Sequence, residues 1–155
     1  MPESVGGVPL HPLMVHGAVV FIVLSAIASI AWAFIPKLRP YRWWVLGLAG
    51  VALLSTLLAA SAGETLEELV KETSLVEEHV ELAEVLETFV WVLAASTFVA
   101  VAVDVRGERL GGARRAIAIL ATIGILVGGV GAVVMDVSAG HAGAKAVWDD
   151  VANAA

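Results

Sequence analysis

The sequence predicts an all-α fold, a four-transmembrane-helix up-down bundle whose third helix extends outside the membrane. Three observations carry that expectation. The 155 residues are 59% apolar with a mean hydropathy of +0.91, whereas soluble domains hold about 45–50% apolar residues. Four stretches, Ser4–Pro36, Trp43–Gly63, Thr88–Val103 and Ala116–Met135, contain no Asp, Glu, Lys or Arg. The basic residues collect between the first and second stretches and between the third and fourth, as they do at one face of a membrane protein. The chain therefore reads as a single integral membrane domain over residues 1–155, with spans at about 12–36, 43–63, 75–104 and 115–138. No internal repeat, low-complexity segment or second domain is evident.

The first span opens with His11-Pro-Leu-Met-Val-His16. Proline suits a first helical turn, where its missing N–H forfeits no bond, so His11 is expected at or just before the cap and His16 one turn inside. A helix needs roughly 20 apolar residues to cross about 30 Å of hydrocarbon. This run is long enough, and no Lys or Arg precedes it, so it reads as a permanent span rather than a signal peptide.

The second span follows Lys37, Arg39 and Arg42, with Tyr41, Trp43 and Trp44 placed as aromatic anchors at its interface. It carries Gly47, Gly50 and the string Ala59-Ala-Ser-Ala-Gly63.

The charge-free part of the third span is too short to cross alone. Ser74-Leu-Val-Glu77 has capping-box spacing, which starts the helix before the membrane. In that outer part Leu75, Val76, Val80, Leu82, Ala83 and Leu86 alternate with Glu77, Glu78, Glu81, Glu84 and Glu87, giving one dry and one wet face. His79 shares the dry face.

The fourth span contains Gly124-x-x-x-Gly128-Gly129-x-Gly131. Small residues at this spacing let helix backbones approach closely in lipid; they equally leave room for a flat cofactor. Beyond it lies Asp136-Val-Ser-Ala-Gly140-His141-Ala-Gly143, where the glycines are placed to end or bend the helix, and Trp148 is a further anchor. Asp136 reads as a helix-end acid facing water, or as a carboxylate that orients a histidine ligand.

Of the nine basic residues, seven (Lys37, Arg39, Arg42, Arg106, Arg109, Arg114, Arg115) fall on one side. The positive-inside rule makes that side cytoplasmic, in an inner membrane, with both termini outside. Of the fifteen acids, all but Asp104 and Glu108 fall outside. An electronegative outer face attracts metal cations or a basic or redox protein partner, and argues against nucleic acid; a merely solvated acidic loop is the plainer reading.

All four histidines, His11, His16, His79 and His141, fall at that outer end. His16 and His79 combine a position about one turn into a helix with an apolar face, so they are the preferred axial pair for a non-covalent haem. His11 and His141 are assigned to its surroundings or to a second site. The alternative is a zinc or copper site built from His11, His16, His79 and His141, with Met14, Met135 or Asp136 as further ligands. The third reading is an accessory or scaffold subunit with structural histidines. Cysteine is absent, which excludes c-type haem attachment and cysteine-held iron–sulfur clusters, so any haem is b-type. No nucleophile–base pair or phosphate loop is present, which favours an electron carrier or binding protein over an enzyme.

The opening His11-Pro-Leu-x-Val-His16, the histidine leading span three and the Gly-rich fourth span closing with Gly140-His141 resemble a bacterial family of predicted four-helix integral membrane proteins of unassigned function. The resemblance covers nearly the whole chain. It departs where Gly17-Ala18 follows the second histidine in place of the Phe-Pro common in the family. Members also occur fused to Rieske domains, which implies electron transfer, and hence haem, by association.

Overall fold

The computed structural model describes residues 4–5, 8–67 and 73–152. A two-residue antiparallel pair, β1 (Ser4–Val5) with β2 (Val8–Pro9), leads into helices α1 (Leu10–Phe34), α2 (Arg42–Glu67), α3 (Ser74–Arg106) and α4 (Arg114–Ala152). All four helices are long and apolar enough to cross a membrane. Two 3-10 turns, Pro36–Tyr41 and Gly107–Ala113, join α1 to α2 and α3 to α4 at one end. Gly111, at φ 52°, supplies the left-handed residue in the second turn. That end holds the arginines; the opposite end holds the histidines.

Each helix packs on two neighbours, so that α1 stands diagonally across from α3 and α2 from α4. Between them lies a thin core, from Ala18, Ile22, Ala59, Leu86, Val90 and Ala132 near the histidine end to Trp32, Val45 and Val101 near the arginine end. Large apolar side chains, among them Ile27, Leu54, Phe98, Leu120 and Val137, cover the outside, as expected where lipid tails are the solvent.

The α3 start differs from the capping box at Ser74. Thr73 is the cap: its hydroxyl accepts from the Val76 N–H at 3.3 Å, and its carbonyl from the Glu77 N–H at 3.0 Å. The amphipathic reading of the outer part is matched: Leu86 is buried, Leu82 and Ala83 are half-buried, and Glu77, Glu78, Glu81 and Glu84 are exposed. Residues 68–72 of the acidic segment lie outside the described residues. At the other termination, α4 runs straight through Gly140 and Gly143. A helix already bonded i to i−4 on both sides loses only about 1 kcal/mol at each glycine, too little to end it.

The two halves of the bundle repeat one another, which was not evident in the sequence. The buried positions of α2, namely Val45, Ala49, Ala52, Thr56, Ala59 and Ala62, match in spacing Ile125, Gly129, Ala132, Asp136, Ala139 and Ala142 of α4, all buried. In the same way Ala18, Ile22, Ser25 and Ser29 of α1 match Leu86, Val90, Leu93 and Thr97 of α3. Both hairpins run in the same direction, so they are parallel repeats about an axis along the bundle. Ser29 and Thr97, both fully buried, meet across the diagonal, where the Thr97 hydroxyl donates to Ser29 Oγ at 3.2 Å. The repeat is hidden in sequence because only burial is shared; the residue types differ at most positions.

Glycines of α4 fill the structural role. A Cβ on Gly128 would stand 2.5 Å from the Leu93 backbone nitrogen of α3, and one on Gly129 3.1 Å from the Ile30 side chain of α1. Gly47 and Gly50 of α2 face open space and join no helix contact.

Candidate functional site

Two histidines meet at the head of the bundle, on the diagonal between α1 and α3. His11 lies inside the first turn of α1, not outside the helix, and its ring reaches over to α2, with Nδ1 2.9 Å from the Ala59 carbonyl oxygen. His79, one turn into α3, reaches over to α4, with Nδ1 2.9 Å from the Ala139 carbonyl oxygen. The rings stand 6.2 Å apart, centre to centre, at 76° to one another.

Glycine makes each approach possible. A Cβ on Gly63 would lie 3.1 Å from the His11 ring, and a Cβ on Gly143 would lie 3.1 Å from the His79 ring. Ala59-x-x-Ala62-Gly63 on α2 and Ala139-x-x-Ala142-Gly143 on α4 are thus equivalent cradles. In each, the first alanine supplies the carbonyl and the glycine clears the space for the ring. The two Ala-x-x-Ala-Gly strings stand out as a pair only in the folded hairpins, where a histidine docks on each.

The docking fixes the chemistry of both rings. A carbonyl oxygen can only accept, so each Nδ1 carries the proton and donates it, and each Nε2 keeps a free lone pair. This is the arrangement in which protein histidines present Nε2 to a metal, with the other ring nitrogen tied to a backbone carbonyl. Among the described residues, no three His, Cys, Asp or Glu side chains converge on one point. Among the described residues, the imidazoles that meet at this mouth are a pair.

The other sequence candidates lie elsewhere. His16 is exposed on α1, with its Nδ1 against the carbonyl of Pro12 one turn back. The pair brought together is therefore His11 with His79, in place of His16 with His79. The five-residue spacing turns His11 and His16 about 140° apart on a continuous helix, and it is His11 that takes the inner direction. His141 is exposed on α4. Met14 and Met135 are half-buried and pack on the apolar cluster just below the histidines. Asp136 corrects the expectation of an acid facing water: it is 6% exposed, at the α4 position that Thr56 occupies on α2. Neither ion pair among the described residues involves it. Thr56 satisfies its hydroxyl on the Ala52 carbonyl of its own helix at 2.9 Å, an option a carboxylate lacks.

At the arginine end Asp104 of α3 accepts from Arg42 at 2.8 Å and from Arg39 at 3.4 Å. These pairs tie the first connecting turn to the second hairpin. Tyr41, Trp43 and Trp44 are exposed around it, and Trp148 is exposed toward the other end, as befits interface anchors.

No curated protein and no solved structure matches the chain. A family model, described as "Predicted membrane protein (DUF2231)", matches residues 7–155. The four apolar helices and a family match spanning nearly the whole chain agree, and the protein belongs to the DUF2231 family of predicted membrane proteins.

Proposed function

We propose that this protein is a membrane electron carrier in which His11 and His79 are the axial ligands of a b-type haem. The observation that carries the reading is the pair itself: two Nδ1-anchored imidazoles with ring centres 6.2 Å apart. Two imidazoles that share one metal through Nε2, at about 2.0 Å each, hold their ring centres roughly 6 Å apart. A donor set of two suits haem iron, whose other four ligands come from the macrocycle. It suits zinc poorly, since zinc takes four ligands from protein and water.

The surroundings are small and apolar. The histidines occupy one diagonal of the mouth, while the other presents the small residues Ala59, Ala62, Ala139 and Ala142. Below lie Ile22, Leu86 and Val90, which exclude water from that side. Bound there, haem iron would supply a one-electron redox couple. His11 and His79 orient the group, and the carbonyls of Ala59 and Ala139 hold the imidazoles in the ligating tautomer.

The charge pattern supports an inner-membrane orientation with the arginine end cytoplasmic and both termini outside. The exposed glutamates of α3 would then meet a basic redox partner at the outer face.

The absorption spectrum of the purified protein tests the assignment. A Soret band and a sharp reduced α-band are expected, lost in His11→Ala and in His79→Ala and kept in His16→Ala and His141→Ala. Colourless, iron-free protein from haem-replete cells overturns it. A second reading, a Cu(I) site on the two histidines, is favoured by the thioethers of Met14 and Met135, which pack on the cluster just beneath and would be further soft ligands. Copper near one equivalent without iron, by elemental analysis, selects it.

A further inference from the structure

At the arginine end the two hairpins part company. Trp32 of α1 is almost wholly buried, whereas its α3 counterpart is Ala100. The missing ring leaves a cavity of about 180 Å³ between the inner ends of α1, α3 and α4, many times the volume a single water requires. Arg39, Asp104 and Arg114 line it together with Trp32, Ala100 and Thr122.

The cavity is polar on one wall, and its net charge is positive. Asp104 is shared by Arg39 and Arg42, so one carboxylate faces two guanidinium groups. Arg114 adds another and makes no ion pair among the described residues. Arg39 is held in place before any ligand arrives: its guanidinium lies 4.5 Å from the centre of the Trp32 ring, and Nη2 donates to the Ala33 carbonyl at 3.3 Å. A planar, pre-positioned guanidinium is the group best matched to phosphate oxygens.

We propose that this cavity binds the phosphodiester of an anionic phospholipid. The depth fits, because Tyr41, Trp43 and Trp44 are exposed at the same end, and such aromatic residues mark the headgroup level. Exposed apolar side chains, Leu120 and Ile123 on α4 and Val105 on α3, cover the outside of the same helices near that end and provide a surface for acyl chains. Basic pockets between membrane helices take anionic headgroups for the same reasons. A free phosphate shares the headgroup chemistry but has no use for that apolar surface.

Native mass spectrometry of the detergent-purified full chain with equal amounts of phosphatidylglycerol and phosphatidylcholine tests the site. Preferential retention of phosphatidylglycerol is expected. Arg114→Gln should lower that preference about fivefold, the value of one basic residue near a lipid headgroup. Ala100→Leu, which fills the cavity without changing charge, should lower it comparably. Arg115→Gln is exposed and outside the cavity, and should leave the preference in place. Equal retention of the two lipids by the wild-type chain overturns the proposal. So does a loss in Arg115→Gln as large as in Arg114→Gln, which reveals diffuse surface charge. Inorganic phosphate that displaces phosphatidylglycerol at millimolar concentration and is itself retained overturns the lipid in favour of a free anion.

Discussion

The first hairpin, α1 with α2, and the second, α3 with α4, bury the same register of positions with different residues. Where they agree, at the histidine end, equivalent residues converge on the axis between the halves and form a paired site. Where they disagree, at the arginine end, Trp32 faces no second tryptophan and a cavity opens off the axis. A duplicated architecture thus yields two kinds of site: one from symmetry kept, the other from symmetry lost.

The largest expected effect separates the hairpins by how closely their helices approach. Gly128 of α4 lets the Leu93 backbone of α3 come within contact, whereas Gly50 of α2 faces open space. Gly128→Ala should lose about 2–3 kcal/mol, because backbone rather than a mobile side chain must give way. Gly50→Ala, at an open position inside α2, should instead gain up to about 1 kcal/mol. Thermal unfolding in detergent reads both, and comparable losses would show that the two hairpins pack alike.

The next prediction tests the equivalence of the cradles. Gly63→Ala and Gly143→Ala each press a methyl group toward an imidazole that would lie 3.1 Å away. Displacing the ring from its carbonyl should weaken retention of the proposed haem about 10–100-fold, and by similar factors at the two sites. A large loss at one and none at the other would make the pair functionally unequal, whatever its geometry.

Restoring the repeat at its most discordant position comes third. Asp136→Thr places on α4 the residue that α2 carries, with a hydroxyl able to bond to its own helix as Thr56 does. Removing a buried carboxylate that has no ion pair among the described residues should raise stability by about 1–2 kcal/mol. A fall in melting temperature would instead mark that carboxylate as a favourable, working difference between the hairpins. The smallest effect concerns Ser25, whose buried hydroxyl has no hydrogen-bond partner among the described residues and whose α3 counterpart is Leu93. Ser25→Ala should stabilise by about 1 kcal/mol; a measurable loss would require a partner for that hydroxyl.

The membrane helices were legible because hydrocarbon imposes a one-dimensional rule: about 20 apolar residues without charge. That rule found α1, α2 and α4; α3, whose charge-free part is too short, needed the amphipathic pattern that precedes it. It could not decide which way His11 faces. One turn of helix separates His11 from His16, and the choice between them depends on where α2 stands. Nor could it see that the Gly124–Gly131 run serves close packing against α3 and α1 while Gly47 and Gly50 face open space, since small residues look alike until a neighbour is placed.

The sequence by itself determined four apolar helices, a basic and an acidic end, and four histidines gathered at the acidic one. Each follows from composition counted along the chain. Only the tertiary structure decided that His11 rather than His16 stands against His79, that each is anchored on an Ala-x-x-Ala-Gly cradle of the next helix, and that Asp136 is buried. These depend on contacts between residues distant in the chain, such as His11 with Ala59 and His79 with Ala139, which arise when hairpins of matched register pack about a common axis.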